Sequence, residues 1–282
     1  MTTVSVVTGA AGAMGAACVA ALAPAVDAML LTDVDRDRLS AAAVRIEREM
    51  TTKVCTAVGN LGDPAFVVAL AAQAGALGDL HALVHCAGLS PAMAEWREIL
   101  RVDLTAVAQL LDAFLPHVSP GSAAVCLASV SGHMGAFDPA MDEVLDDPRA
   151  ADLETRFQSI AGVDPHPGAT YRLAKRGVIR LCERAAVVWG ERGGRVVSLS
   201  PGLIDTAMGR LELVHNPIKT RMAEMTPVGG NRTGSGTILP GRVDDIANTV
   251  AFLCSDRAAF VSGCDIRVDG GLIAAMNVGN EQ

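Results

Sequence analysis

The fold is decided by Val4-Ser5-Val6-Val7-Thr8-Gly9-Ala10-Ala11-Gly12-Ala13-Met14-Gly15. Val4 to Thr8 reads as a short apolar strand, and the alanine-rich stretch after Gly15 reads as a helix that ends before Pro24. Strand, glycine turn and helix together make a phosphate cradle. Glycines let the backbone approach a pyrophosphate closely, while the free N–H groups and positive end of the helix supply an anion site. The next strand, Ala28 to Thr32, delivers Asp33, placed where a dinucleotide fold positions the carboxylate that accepts from the adenosine ribose hydroxyls. The plainer reading of Asp33 is a turn residue or a helix cap ahead of Arg36-Asp37-Arg38.

Working outward, short strands rich in Val, Leu and Ala recur at Val54–Val58, Ala82–Cys86, Ala123–Ala128 and Arg195–Leu199, with helical segments between them. This alternation predicts an α/β fold: one doubly wound parallel sheet of Rossmann-like type with helices on both faces. A helix from Val243 to Cys254 and a strand from Asp265 to Val268 close it. Ligands of such sheets bind beyond the carboxyl ends of the strands. Those ends carry Asn60, Ala87-Gly88 and Ser129-Val130-Ser131-Gly132.

The chain contains one tyrosine, in Tyr171-Arg172-Leu173-Ala174-Lys175, at the head of a segment whose apolar residues Val178, Leu181, Ala185 and Val188 fall on one helical face before Gly190. On a helix, i and i+4 share a face, so phenol and ammonium project together. A cation ~5 Å away at an effective dielectric of ~20 contributes roughly 3 kcal/mol, a little over two pKa units, toward ionising a phenol. The pair is thus a candidate base and its activator.

Two stretches stand outside the alternation. Residues 133–168, with Asp142-Glu143, Asp146-Asp147-Pro148 and a short helix expected around Arg149 to Ile160, read as an insertion, either a helical excursion or a lid. Residues 203–240, with Gly229-Gly230 and Gly234-Ser235-Gly236, read as a mobile substrate cover.

The bulk numbers bound the rest. With 282 residues, half of them apolar and only 3% aromatic, the core must be built of Ala, Val, Leu and Ile. A net charge of −8 argues against nucleic acid or an anionic membrane as partner. Seven scattered cysteines, with no C-x-x-C and no histidine pattern for zinc, read as core hydrophobes in a reducing compartment, so no metal is expected. No basic leader and no run of 18 apolar residues occurs, so the expected location is cytoplasmic.

In order along the chain, Thr8-Gly9-x-x-Gly12-x-x-Gly15, Ala87-Gly88, Ser129, Tyr171-x-x-x-Lys175, Pro201-Gly202-x-x-x-Thr206 and Val268-Asp269-Gly270-Gly271 resemble the short-chain dehydrogenase/reductase family. The resemblance covers nearly the whole chain and implies a single domain, residues 1–282, that oxidises an alcohol or reduces a ketone with a nicotinamide cofactor. It implies that Tyr171 exchanges the hydroxyl proton, that Ser129 (with Ser131 as competitor) hydrogen-bonds the substrate oxygen, and that Lys175 holds the nicotinamide ribose and lowers the phenol pKa. Asp103 stands at the position of the family's helix asparagine, the fourth catalytic group. The implied cofactor contacts are Gly9, Gly12, Met14, Gly15, Asp33, Asn60, Leu61, Ala87, Gly88, Tyr171, Lys175, Pro201, Gly202, Ile204 and Thr206, the last for the pyrophosphate or carboxamide.

The chain departs from the family pattern at four places. The usual T-G-x-x-x-G-x-G would put glycine at position 13, where this chain has Ala13, with Gly12 one place early. The usual Asn-Asn-Ala-Gly is His85-Cys86-Ala87-Gly88, with His85 read as structural. The asparagine is Asp103, which accepts but cannot donate when ionised. Ser129 and Tyr171 stand 42 positions apart because of the 133–168 stretch, a feature of the hydroxysteroid dehydrogenase/carbonyl reductase branch.

The resulting expectation is an NAD-linked oxidoreductase for a secondary alcohol or ketone, hydroxysteroid-like, assembled as a homodimer or homotetramer. Asp33 favours NAD over the 2′-phosphorylated cofactor, with Arg36 and Arg38 as the residues that could reverse this. The alternative is a catalytically silent nicotinamide-binding regulator.

Overall fold

The computed structural model describes residues 2–215, 217–229 and 240–279. Seven parallel strands form one sheet in the order β3-β2-β1-β4-β5-β6-β7: β1 Thr3–Thr8, β2 Ala28–Asp33, β3 Lys53–Val58, β4 Asp79–His85, β5 Ala123–Leu127, β6 Arg195–Pro201 and β7 Asp265–Val268. Successive strand residues face opposite sides of the sheet, so both must be apolar in a sheet covered twice. In β2, Leu30 packs with α3 (Pro64–Leu77), α5 (Ala106–Phe114) and α8 (Pro167–Gly190), whereas its neighbour Leu31 packs with α1 (Ala13–Leu22), α2 (Arg36–Glu49) and α11 (Val243–Cys254). The doubly wound, Rossmann-like sheet expected from the alternation is present.

Strand order reverses between β1 and β4, the switch point at which such sheets open a crevice. The register pairs Thr8 with His85 at the two carboxyl ends. There the Cys86 N–H donates to Thr8 O at 3.2 Å, the Ala87 N–H to Thr8 Oγ1 at 3.3 Å, and Thr8 Oγ1 lies 2.9 Å from His85 Nδ1. His85 is fully buried, and burial, reinforced by Lys175, pushes its imidazole down to about 3. It is held in its neutral form.

Three boundaries differ from the sequence reading. The helix carrying Tyr171 starts at Pro167 rather than Arg172: Pro167 occupies the first turn and His166 Nδ1 accepts from the Gly168 N–H at 3.0 Å, so Pro-Gly opens a helix instead of breaking one. Residues 133–168 hold two helices, α6 (Pro139–Leu145) and α7 (Leu153–Ala161), where one was expected. Asp138 caps α6 by accepting from the Ala140 N–H at 2.9 Å, with Pro139 in the first turn. Both helices are docked rather than held as a lid. Met141, Val144, Leu145, Leu153 and Phe157 are buried in the core, and Phe157 stacks on Trp96 with ring centroids 6.0 Å apart. Third, the 203–240 stretch contains two helices, α9 (Ala207–His215) and α10 (Pro217–Met225). Gly230, Gly234 and Gly236 lie outside the described residues.

Candidate active site

The glycine turn is closed sterically. Gly9 adopts a φ of 63°, and a Cβ there would stand 2.7 Å from Ala87 N; a Cβ on Gly15 would stand 2.1 Å from Gly9 O. Neither position admits a side chain. Gly12 caps α1, whose first bond is Ala16 N–H to Gly12 O at 2.9 Å, so the N–H groups of Ala13, Met14 and Gly15 have no intrahelical acceptor. A tight glycine turn ending in open donors at the switch point fits a dinucleotide pyrophosphate, despite Ala13. At the end of β2, Asp33 Oδ2 accepts from the Ala11 N–H at 3.0 Å and Oδ1 from the Asp35 N–H at 3.2 Å, which ties the carboxylate to the turn. Arg38 Nη2 donates to Ala11 O at 3.0 Å.

Lys175 is buried on α8, one turn beyond Tyr171, and its Nζ lies 5.5 Å from the phenol ring centroid. The same Nζ donates to Leu127 O at 3.3 Å and lies 3.9 Å from Asp103 Oδ2. Asp103 sits in a π-helical turn, Arg101–Thr105, between α4 (Trp96–Leu100) and α5, and is fully buried. Its Oδ1 accepts from the Leu89 N–H at 2.8 Å, while Oδ2 has no hydrogen-bond partner. Burial pushes its carboxyl above the usual range, against the opposing pull of Lys175 and the Leu89 N–H. Gly88 lets the β4 end reach this pair: a Cβ there would stand 3.0 Å from Asp103 Oδ1 and 3.3 Å from Lys175 Nζ.

Ser129 follows β5 and caps a single 3₁₀ turn, Val130–His133, accepting from the Ser131 N–H at 3.2 Å. Its hydroxyl lies 2.6 Å from Ser131 Oγ, on the wall of the cavity that Tyr171 also lines. The turn is pinned from behind. His133 Nε2 lies 2.8 Å from Asp265 Oδ2 on β7, and Asp265 Oδ1 accepts from Ser198 and Ser200 at 2.6 and 3.0 Å.

The phenol departs from the sequence expectation. Burial pushes its pKa well above the ordinary value, Asp103 and Glu212 push it further, and only the Ser129 hydrogen bond opposes them. The i, i+4 argument assumed an unshared ammonium and a solvated phenol, whereas Lys175 faces Asp103 and the half-buried Tyr171 lines the cavity.

Tyr171, Ser129, Ser131 and Gly202 line one cavity of about 550 Å³, closed by Ser90, Met134, Leu203 and, from α9 and α10, Glu212, Lys219 and Met222. Sequence reasoning missed His166, Arg172, Glu212 and Lys219 as cavity residues. Only Arg172 carried a signal, its place beside Tyr171. Other expected residues sit differently. Leu61 is buried in the core, and exposed Asn60 turns its Oδ1 back onto its own Gly62 N–H at 2.8 Å. Thr206 caps the start of α9 by accepting from the Gly209 N–H at 3.0 Å. Pro201 ends β6, the Gly202 N–H donates to Val268 O at 3.0 Å, and Ile204 bridges to Gly241.

Residues 3–140 match the family model described as short chain dehydrogenase, and residues 156–273 match one described as Enoyl-(Acyl carrier protein) reductase. A cis-4-hydroxycyclohexanecarboxylate dehydrogenase of Sinomonas cyclohexanicum is 30% identical over 96% of this chain and 96% of its own length. The chain belongs to the short-chain dehydrogenase/reductase family. As a short-chain dehydrogenase/reductase it is an oxidoreductase that uses a nicotinamide cofactor and acts on a small molecule. A second relative, a 3-alpha-hydroxysteroid dehydrogenase/carbonyl reductase of Comamonas testosteroni, is 30% identical over 69% of this chain and 73% of that protein. A short-chain type dehydrogenase/reductase from Mycobacterium ulcerans has the same fold, with a TM-score of 0.74 at 22% identity over 97% of this chain and 90% of that one.

Proposed function

We propose that this short-chain dehydrogenase/reductase, acting as one unit over residues 1–282, interconverts a cyclic secondary alcohol and its ketone with NAD(H). The observation that carries the proposal is that Ser129 and Tyr171 share the wall of one cavity, with the buried Lys175 Nζ 5.5 Å from the phenol ring. The relatives' printed substrates, a hydroxylated ring acid and a hydroxysteroid, support a ring-borne alcohol, and the cavity is roomy enough for one or more rings.

In oxidation the Tyr171 phenolate takes the hydroxyl proton, and Ser129 orients the substrate oxygen, with Ser131 hydrogen-bonded behind it. Lys175 holds the nicotinamide ribose, and Asp103 fixes Lys175 from behind. The cofactor, when bound, accepts the hydride in oxidation and supplies it in reduction. Gly9, Gly12, Met14 and Gly15 cradle its pyrophosphate. Ala87, Gly88, Pro201, Gly202, Ile204 and Thr206 complete its groove, with Asn60 and Leu61 beside the adenine.

NAD is the cofactor of choice because the Asp33 carboxylate repels a 2′-phosphate and accepts from a free ribose diol. Of the two residues that would answer a phosphate, Arg38 is engaged on Ala11 O, while Arg36 is exposed at the start of α2. The protein forms a symmetric homo-oligomer, dimer or tetramer. Support comes from exposed Phe252 and fully exposed Phe260 on the segment leading to edge strand β7. Its expected place is the cytoplasm.

A panel of cyclic alcohols and ketones followed at the NADH absorbance tests the reaction, and parallel titration with both cofactors tests the choice. Tighter binding of NADP overturns the NAD assignment. A protein that binds NAD yet turns over no alcohol or ketone is the nicotinamide-binding regulator instead.

A further inference from the structure

Along α8, arginines recur every fourth residue at 172, 176, 180 and 184. Residues four apart share a helix face, so the four form one cationic row. Three of them are paired with carboxylates. Arg176 makes two hydrogen bonds of 2.6 Å to the Asp142 carboxylate, Arg180 binds Asp146 at 2.6 and 2.7 Å, and Arg184 reaches Asp146 at 2.6 Å. The first member, Arg172, has no hydrogen-bond or ion-pair partner among the described residues, and its Nε is buried. It is also the one member that lines the cavity shared by Ser129 and Tyr171.

Among the described residues, the surroundings of Arg172 make room for a planar cation and supply no acceptor bonded to it. Gly135 adopts a φ of 82°, and a Cβ there would stand 2.7 Å from Arg172 Nη1, so the guanidinium occupies space that a side chain would fill. Phe137 offers only its ring, 5.9 Å from Arg172 Cζ. The other charged pair in the cavity, Glu212 and Lys219, is satisfied internally. A half-buried guanidinium with an orphaned donor costs free energy unless something accepts from it, and its flat fork of donors matches a carboxylate.

We propose that the substrate carries a carboxylate in addition to the reacting hydroxyl or ketone, and that Arg172 is its anchor. The inference rests on the reading of this cavity as the substrate site. It narrows the ring alcohols considered above to hydroxy acids and oxo acids, and it assigns Arg172 to specificity, with the proton chemistry left to Tyr171.

Binding tests the anchor without any turnover. Cyclohexanecarboxylate and its neutral isostere cyclohexanecarboxamide are titrated calorimetrically into the NAD-saturated full chain. A charge-assisted hydrogen bond to a buried cation favours the acid by roughly 10- to 100-fold. In Arg172→Met and Arg172→Gln, whose folding is checked by circular dichroism, the preference collapses to within about threefold, and Arg172→Lys recovers part of it. A parent protein that binds acid and amide equally, or a folded Arg172→Met that keeps the preference, overturns the proposal. Turnover is read separately with 4-hydroxycyclohexanecarboxylate and its amide. An Arg172-dependent preference in binding with no NADH formed from either sinks the proposed oxidation of ring alcohols at this cavity and leaves the anchor standing. Equal kcat/KM for the two keeps the oxidoreductase and removes the anchor.

Discussion

Tyr171 is poised to hold its proton, not to lose it, and this sets the direction of the pH profile. In the proposed mechanism oxidation requires the phenolate, so with the phenol raised by burial, Asp103 and Glu212, the oxidation rate is expected to climb toward alkaline pH. Asp103→Asn removes a negative charge that disfavours the phenolate, so the rising limb moves to lower pH. A limb that stays in place or moves up shows that Asp103 does not act on the phenol. Tyr171→Phe keeps the ring, and is expected to cut turnover by at least ~100-fold while NAD binds within a few-fold of the parent. Full activity in that variant would remove the proposed mechanism. The glycines of the turn and the Tyr171–Lys175 spacing were legible in the sequence because each obeys a local geometric rule. The sense of the phenol shift was not. It depends on Asp103, 68 positions upstream of Tyr171, and on Glu212 from a helix beyond β6, a juxtaposition only the folded chain creates.

The Arg176–Arg184 row turns α6 into a clamp on the helix that carries the tyrosine. Asp142 and Asp146 are held below the ordinary value of 3.8, chiefly by hydrogen bonds from Arg176 and Arg180. A depressed folded-state pKa contributes stability that is present above the unfolded value and lost as pH falls through the folded one. The melting temperature followed from about pH 6 to about pH 3 should therefore fall less steeply in an Asp142→Asn/Asp146→Asn double variant than in the parent. Identical slopes would mean that the clamp adds nothing. On the other side of the same segment, Phe157→Ala empties a fully buried site against Trp96 and should cost about 3–5 kcal/mol in urea unfolding. The elements most legible in the sequence were the strands and α11, whose apolar runs are bounded by plain turn signals. The α6 start was overlooked although Asp138-Pro139 is a cap followed by a first-turn proline. The beginning of α8 lies four residues ahead of Tyr171, inside the stretch read as the insertion, because Pro167 fits a first turn. Helices α9 and α10 lacked a clear apolar stripe beside the glycines that follow them.

At the level of the molecule, the site draws on the ends of β1, β2, β4, β5 and β6 together with α8, so its parts meet only when the whole sheet has formed. NAD should therefore stabilise the fold globally. At a free concentration 100 times its Kd it adds about 2.7 kcal/mol, read as a concentration-dependent rise in the melting temperature. A melt indifferent to NAD contradicts the cofactor reading. The order of the strands also has a consequence for biosynthesis. β1 is made first but ends up near the middle of the sheet, with β2 on one side and β4 on the other. Roughly fifty residues separate the end of β2 at Asp33 from the end of β4 at His85, about 3–10 s of translation at ordinary elongation rates. Throughout that interval a nascent β1, already carrying the glycine turn, presents a bare row of N–H and C=O groups on the side that β4 will cover. Any extended segment that meets that edge before β4 is made competes with β4 for it.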